Sequence, residues 1–404
     1  MKFKLALFIS LCGTTLLFAE EPKKPVPQFV EEFNAIKKEV STKIQAITEK
    51  ASDEHDAAKT DAERQSIFEK LRIDSEKIIA PSVEKIFNLV KPHASDPAAC
   101  ELLGWVVNYP SKMESSQAAL ELLMKHHLVH SETIDLAGNM KQSWYGWVDS
   151  LLRAQLASPD LTHEQRRFVL MNLAIHLQLL AEYSEIIANA TAADLKRFAV
   201  ELGEQRFGAL KDGRSKHEAE AIKLFTELDQ KYGKEELRPG LSVARIAQQS
   251  IYSIQNLSIG KIAPDIVGED LEGVKFKLSD YRGKVVMLSF WGSWSEPCMA
   301  SISHNRELVE RYKGKPFVLI GVNSDEEKIK IRELLTVQTI SWRSFWCGRN
   351  GRRGPIPTVW NVRTWPATYL IDQDGVIRSA AYAKNLDAKI EKLVAEAEKA
   401  NAKK

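Results

Sequence analysis

Apolar residues recur at three- and four-residue steps over the first two thirds of the chain and gather into short continuous runs over the last third. That change of period divides the sequence. Phe29, Phe33, Ile36, Val40, Ile44 and Ile47 fall on one stripe of a long amphipathic helix, which needs a packing partner. A polar stretch with Asp53, Glu54, His55 and Asp56 interrupts the stripe, and helical runs follow over 75–90, 97–107, 116–127, 164–183, 193–210 and 216–232. Pro81, Pro92, Pro97, Pro110 and Pro159 are expected at helix starts or between helices, where a missing N–H is harmless. Nothing here alternates as a sheet strand would, so residues 20–256 read as an all-α helical-hairpin domain. Ser95-Asp96-Pro97-Ala98-Ala99 opens a helix as a solenoid repeat does, but no fixed period recurs, and an irregular bundle is the expectation.

After Leu257 the texture changes. Val285-Val286-Met287-Leu288-Ser289-Phe290 and Phe317-Val318-Leu319-Ile320-Gly321-Val322 are continuous runs of the kind buried on both faces of a sheet, with a helical pattern over 297–312 between them. Ala367-Thr368-Tyr369-Leu370-Ile371 meets Val376-Ile377-Arg378 across Asp372-Gln373-Asp374-Gly375, a hairpin signal, and a helix over 386–399 comes next. Residues 257–404 therefore read as an α/β domain with a central mixed sheet flanked by helices.

The first residues change the setting. Met1-Lys2-Phe3-Lys4 precedes an apolar run from Leu5 to Phe18 that closes on Ala19, followed by polar Glu20 and Glu21, the layout of a signal peptide spanning 1–19. Cys12 is not read as a lipoprotein site, because Leu11 stands where a small residue is wanted. The expectation is an exported, periplasmic or otherwise extracytoplasmic chain with no integral membrane span after signal removal. Lys and Arg number 56 against 54 Asp and Glu, so there is no long-range field to gather nucleic acid. Export favours disulfides, yet beyond residue 19 only Cys100, Cys298 and Cys347 remain, an odd set that is no disulfide scaffold.

The chemistry centres on Phe290-Trp291-Gly292-Ser293-Trp294-Ser295-Glu296-Pro297-Cys298, where a strand runs into a helix. With Ile262-Ala263-Pro264-Asp265, Leu278-Ser279-Asp280-Tyr281-Arg282-Gly283-Lys284, Gly321-Val322-Asn323 and Trp365-Pro366-Ala367-Thr368-Tyr369-Leu370-Ile371-Asp372, this stretch resembles the TlpA/ResA-type thioredoxin-like proteins of the AhpC/TSA redoxin group. The resemblance covers roughly 258–397 and implies a thioredoxin-like fold. It also implies thiol–disulfide exchange: a thiolate at a helix N-terminus attacks a substrate disulfide, and a second cysteine one turn along resolves the mixed disulfide. In that family the strand leads into Trp-Cys-x-x-Cys. Here the attacking position is Ser295 and the resolving position is Cys298.

A serine hydroxyl is essentially never ionised there, so the two-cysteine cycle is expected to fail. Ser295 is read as the cap of the helix opening at Glu296-Pro297. Cys298 divides between an inert half-buried thiol and a reactive one, acting alone or through a substitute disulfide with Cys347 if their Cα atoms come within about 7 Å. The resemblance makes Pro366 a cis-proline that, with Ala367, offers backbone to an extended peptide, with Trp294 and Trp365 as an apolar platform beside it. The same Ser-x-x-Cys spacing fits a peroxiredoxin-like thiol peroxidase, but the arginine such enzymes need is replaced by Pro366, and their upstream proline by Trp291. Partners on these readings are exported protein thiols or extended peptide segments. A redox-silent binding or scaffold module stands as the alternative to an oxidoreductase.

No cofactor motif is present, and no metal set is complete in the sequence. His126 and His130 share a helix face with His127 between them, and Glu121 and Glu132 are the nearest further donors, but a solvated helix end is the favoured reading. Cys100, beside Leu102, Leu103 and Val106, reads as core. Arg349, Arg352 and Arg353 read as a solvated basic loop.

Overall fold

A computed structural model describes residues 26–402 apart from 59, 110–113, 143–145, 189, 191, 193, 194, 197, 200–203 and 381–385. The expected signal peptide 1–19, with Cys12, lies outside the described residues, as do Pro110 and part of the expected helix 193–210. The chain forms two compact units, one up to Leu173 and one from Ala174.

The first unit is helical among its described residues. The stripe expected from Phe29 onward is carried by α1 (Gln28–Ala57), which buries Phe29, Phe33, Ile36, Val40 and Ile44 and runs on through the polar stretch at 53–56. It packs against α2 (Asp61–Val90), whose N-terminus is set by Thr60: the hydroxyl accepts from the Glu63 N–H at 3.2 Å, and the Glu63 carboxylate accepts from the Thr60 N–H at 3.1 Å. Pro81 lies inside α2, against expectation. One lost N–H bond and a ring clash are local penalties, and a 30-residue helix with a face packed on α1 tolerates them. Shorter helices come next: α3 (Ala99–Val107), α4 (Glu114–His126), α5 (Ser131–Asn139) and α6 (Gly146–Ala157). The division between units falls within α7 (His163–Ala188).

The second unit begins with the rest of α7, then α8 (Glu204–Lys211) and α9 (Arg214–Tyr232), and a small hairpin of β1 (Glu236–Arg238) and β2 (Leu241–Ser242) leads into α10 (Val243–Asn256). The hairpin corrects the purely helical expectation for this stretch. Its turn is Pro239-Gly240, and Gly240 takes φ +77°, a conformation that side chains oppose. These helices are tied to residues beyond Leu257: Arg214 Nη2 donates to the Ile259 carbonyl at 2.7 Å, and Arg363 Nη2 to Ser250 Oγ at 3.1 Å.

Beyond Leu257 the elements are β3 (Val267–Glu269), β4 (Lys275–Lys277), β5 (Val285–Trp291), α11 (Glu296–Arg311), β6 (Phe317–Asn323), α12 (Lys328–Val337), β7 (Ser344–Trp346), the short α13 (Pro355–Val359), β8 (Ala367–Ile371), β9 (Ile377–Ser379) and α14 (Leu386–Asn401). The mixed five-stranded sheet runs β7-β6-β5-β8-β9, with β5, β6 and β7 parallel and β8 and β9 antiparallel to their neighbours. Every residue of β5 is buried, because both faces of the sheet are covered. Val285, Met287 and Trp291 face a core shared with α11, α12 and α14, while Val286, Leu288 and Phe290 face a second core with Leu257, Ile266, Trp360 and Tyr369. This alternation follows from the period of two along a strand. It also carries Cys347, the residue after β7, into the second core.

Candidate functional site

Strand β5 ends at Trp291, α11 starts at Glu296, and residues 292–295 form the turn between them. Gly292 is required here, since a Cβ would lie 2.3 Å from Trp294 Nε1 and 2.7 Å from Ser324 Oγ. Trp294 Nε1 donates to Ser324 Oγ at 3.2 Å, and Ser324 Oγ donates to the Trp291 carbonyl at 3.1 Å. Asp325 holds the turn from the other side. Its carboxylate accepts from the Ser293 N–H at 2.9 Å, Ser293 Oγ at 2.6 Å and Asn323 Nδ2 at 2.7 Å. The motif read from sequence reaches Asn323 and misses Ser324 and Asp325; the signal for them is two polar residues directly after an apolar strand, where a parallel sheet presents its loops.

Ser295 occupies the N-cap position of α11 with φ −103° and ψ 108°, but its side chain does not cap. The hydroxyl donates instead to the Trp365 carbonyl at 3.3 Å. That is a correction to the capping expectation. Pro297 in the first turn has no N–H to offer, and the Trp365 carbonyl is within reach of a side chain that is 6% exposed. The Trp365–Pro366 peptide is cis, and Ala367 is buried as the first residue of β8, opposite Phe290 of β5.

Cys298 is 1% exposed, in the core beneath α11. Burial pushes its thiol above the ordinary cysteine range; hydrogen bonds with Ser295 and the Gly292 backbone pull the other way, and the Asp325 charge pushes it up further. Cys347 follows β7 on the opposite face of the sheet, in the second core. Burial first, and then the Asp325 charge, pushes its thiol up to about 12. Both thiols are free, and the structure does not bring them together.

The structure brings the Trp294 and Trp365 rings together. Trp294 is 46% exposed and meets Trp365 edge to face, with ring centroids 5.7 Å apart. Arg352, expected to be merely solvated, lies over the Trp294 ring at 4.5 Å. Arg349 and Arg353 are exposed. A cavity of about 790 Å³ with Arg282, Lys284, Lys313, Lys315 and Arg343 among its lining lies at the starts of β5 and β6, the other end of the sheet from Cys298.

Away from this site, His126 is exposed in the last turn of α4. His127 is not solvated as expected but 5% exposed, with Nε2 2.7 Å from the Ala94 carbonyl. Among the described residues no helix is long and apolar enough to cross a membrane.

Residues 259–380 match the AhpC/TSA family. The chain is similar to the thiol-disulfide oxidoreductase ResA of Bacillus thuringiensis subsp. konkukian, 33% identical over 123 residues that make up 30% of this chain and 69% of that protein. It is likewise similar to the ResA of Geobacillus kaustophilus, 33% identical over 127 residues, 30% of this chain and 68% of that protein. Among solved structures it is similar to the thioredoxin domain of a thiol-disulfide oxidoreductase from Bacteroides vulgatus, at 24% identity and a TM-score of 0.32, covering 34% of this chain and 99% of that one. The ordered motifs from Ile262 to Asp372, the mixed sheet and the ResA relatives agree, and the chain belongs to the AhpC/TSA family, in the thioredoxin-fold group of thiol-disulfide oxidoreductases.

Proposed function

We propose that this chain is an exported redoxin that no longer carries out two-cysteine exchange and instead binds extended peptide segments of exported proteins against Trp294, Trp365, Pro366 and Ala367. The observation that carries the reading is the state of Cys298. Its sulfur is buried at 1% exposure, no cation is among the groups that set its acidity, and the ionised group among them is the Asp325 carboxylate. A thiol that must itself attack a substrate disulfide needs the opposite setting, an accessible sulfur held as thiolate by positive charge. The oxygen of Ser295 cannot replace the missing sulfur, and its hydroxyl is engaged with the Trp365 carbonyl. The exposed indole of Trp294, backed by Trp365 and Arg352, offers an extended peptide apolar area beside the Trp365–Pro366 turn. Export rests on the layout of residues 1–19.

A second reading, exchange by Cys298 alone, draws on the Gly292 backbone hydrogen bond to its sulfur and on the Ser295 hydroxyl, which would have to leave the Trp365 carbonyl to donate there. One measurement separates the two. Native thiols are alkylated across about pH 6 to 9, and Cys298 labelling is followed by peptide mass spectrometry. The silent reading expects slow labelling that rises about tenfold per pH unit without a plateau. Rapid labelling that levels off near neutral pH would replace it with the single-thiol reading.

A further inference from the structure

The family match begins at residue 259, and metal-ligating side chains converge in the helical unit that it does not reach. Cys100 lies in the first turn of α3 at 1% exposure, His130 is the N-cap residue of α5, and Glu132 is in the first turn of α5. One ligand atom from each, the Cys100 sulfur, a His130 ring nitrogen and a Glu132 carboxylate oxygen, lie within 4.8 Å of one another. A second observation points the same way. Nδ1 of His130 is buried and has no hydrogen-bond partner, so a polar atom has been removed from water with nothing to receive it.

We propose that Cys100, His130 and Glu132 form a Zn²⁺ site. Thiolate, imidazole and carboxylate are the donor types that suit this ion, and three protein ligands leave one of four tetrahedral positions to water, on the side where Glu132 is exposed. On binding, the S–H bond of Cys100 breaks, its proton passes to solvent, and the sulfur lone pair forms the metal bond; no electron is transferred. The two negative ligands balance the ion, so the site carries no net charge. Thr133 stands beside it with Oγ1 3.1 Å from the Cys100 sulfur, placed to donate to the thiolate and fix its direction. His127 is outside the converging set, and its Nε2 meets the Ala94 carbonyl. Sequence spacing could not show this set, since its residues come from two helices.

The test uses the full chain stripped with a chelator and titrated with Co²⁺. One equivalent is expected to bind with a thiolate-to-cobalt charge-transfer band that Zn²⁺ abolishes. Cys100→Ser should remove the band, His130→Ala and Glu132→Gln should weaken binding by at least about tenfold, and Cys298→Ser with Cys347→Ser should leave it unchanged. No band in the parent, or a band surviving Cys100→Ser, overturns the site. Because a buried substitution can compromise folding, the parent is also alkylated with and without Zn²⁺: protection of Cys100 but not Cys298 supports the site, and equal rates for Cys100 in both conditions overturn it.

Discussion

Cys298 of the redoxin domain and Cys100 of the helical unit are each 1% exposed, and each lies in the first turn of a helix, yet their neighbours differ. Around Cys298 stand a hydroxyl, a backbone amide and the Asp325 carboxylate. Around Cys100 stand Thr133, Glu132 and His130. Helix position alone activates neither. Burial pushes the Cys100 thiol up to about 12, which corresponds to roughly 4 kcal/mol, whereas a helix terminus contributes at most about 2 kcal/mol toward ionisation. Desolvation wins in both places, so what each sulfur can do is decided by the groups that stand beside it.

The comparison breaks most directly at Ser295. Ser295→Cys restores a sulfur at the turn where Asp325 and Gly292 already hold the backbone, and disulfide reduction in an insulin assay is expected to rise at least about a hundredfold over the parent. No gain would mean that the surrounding site, not one atom, has been lost. The next effect is on stability. Cys347, pushed up to about 12, holds its proton more tightly folded than unfolded. Its contribution is complete below the ordinary thiol range near 8.5 and drains away as pH rises toward 12, by about 2 kcal/mol at pH 10. Urea midpoints should therefore fall between pH 7 and 10, and less steeply in Cys347→Ala; an equal fall in that variant would refute the assignment. Smallest is Asp325→Asn. Removing the charge lowers the Cys298 thiol toward its ordinary range, and its alkylation at fixed pH should speed up by a few-fold, still limited by burial. A slower rate would show that Asp325 acts through the turn rather than through its charge.

Much of the redoxin domain was legible because its strands announce themselves. The fully buried β5 and the nearly fully buried β6 read as continuous apolar runs, and the hairpin of β8 and β9 read from its Asp-Gly turn. The three-residue β7 is too short to carry a pattern. In the helical unit the α1 stripe was clear, but α5 and α6, short and partly polar, went unread. At the site, Ser295, Cys298, Trp294, Trp365 and Pro366 were found from one motif on one stretch of chain each. Asp325 and the place of Arg352 over Trp294 were not, since both act across loops brought together only by the sheet.

By itself the sequence determined the redoxin fold and which residues, Ser295 and Cys298 among them, stand at its strand-to-helix turn and proline loop, because each is written in local order and period. Only the tertiary structure placed Cys298 and Cys347 on opposite faces of one sheet, turned the Ser295 hydroxyl to the Trp365 carbonyl, and set Cys100 beside His130 and Glu132. The reason is physical. Spacing fixes which face of its own element a residue occupies, whereas the charges and donors that meet there come from other elements, and packing alone chooses them.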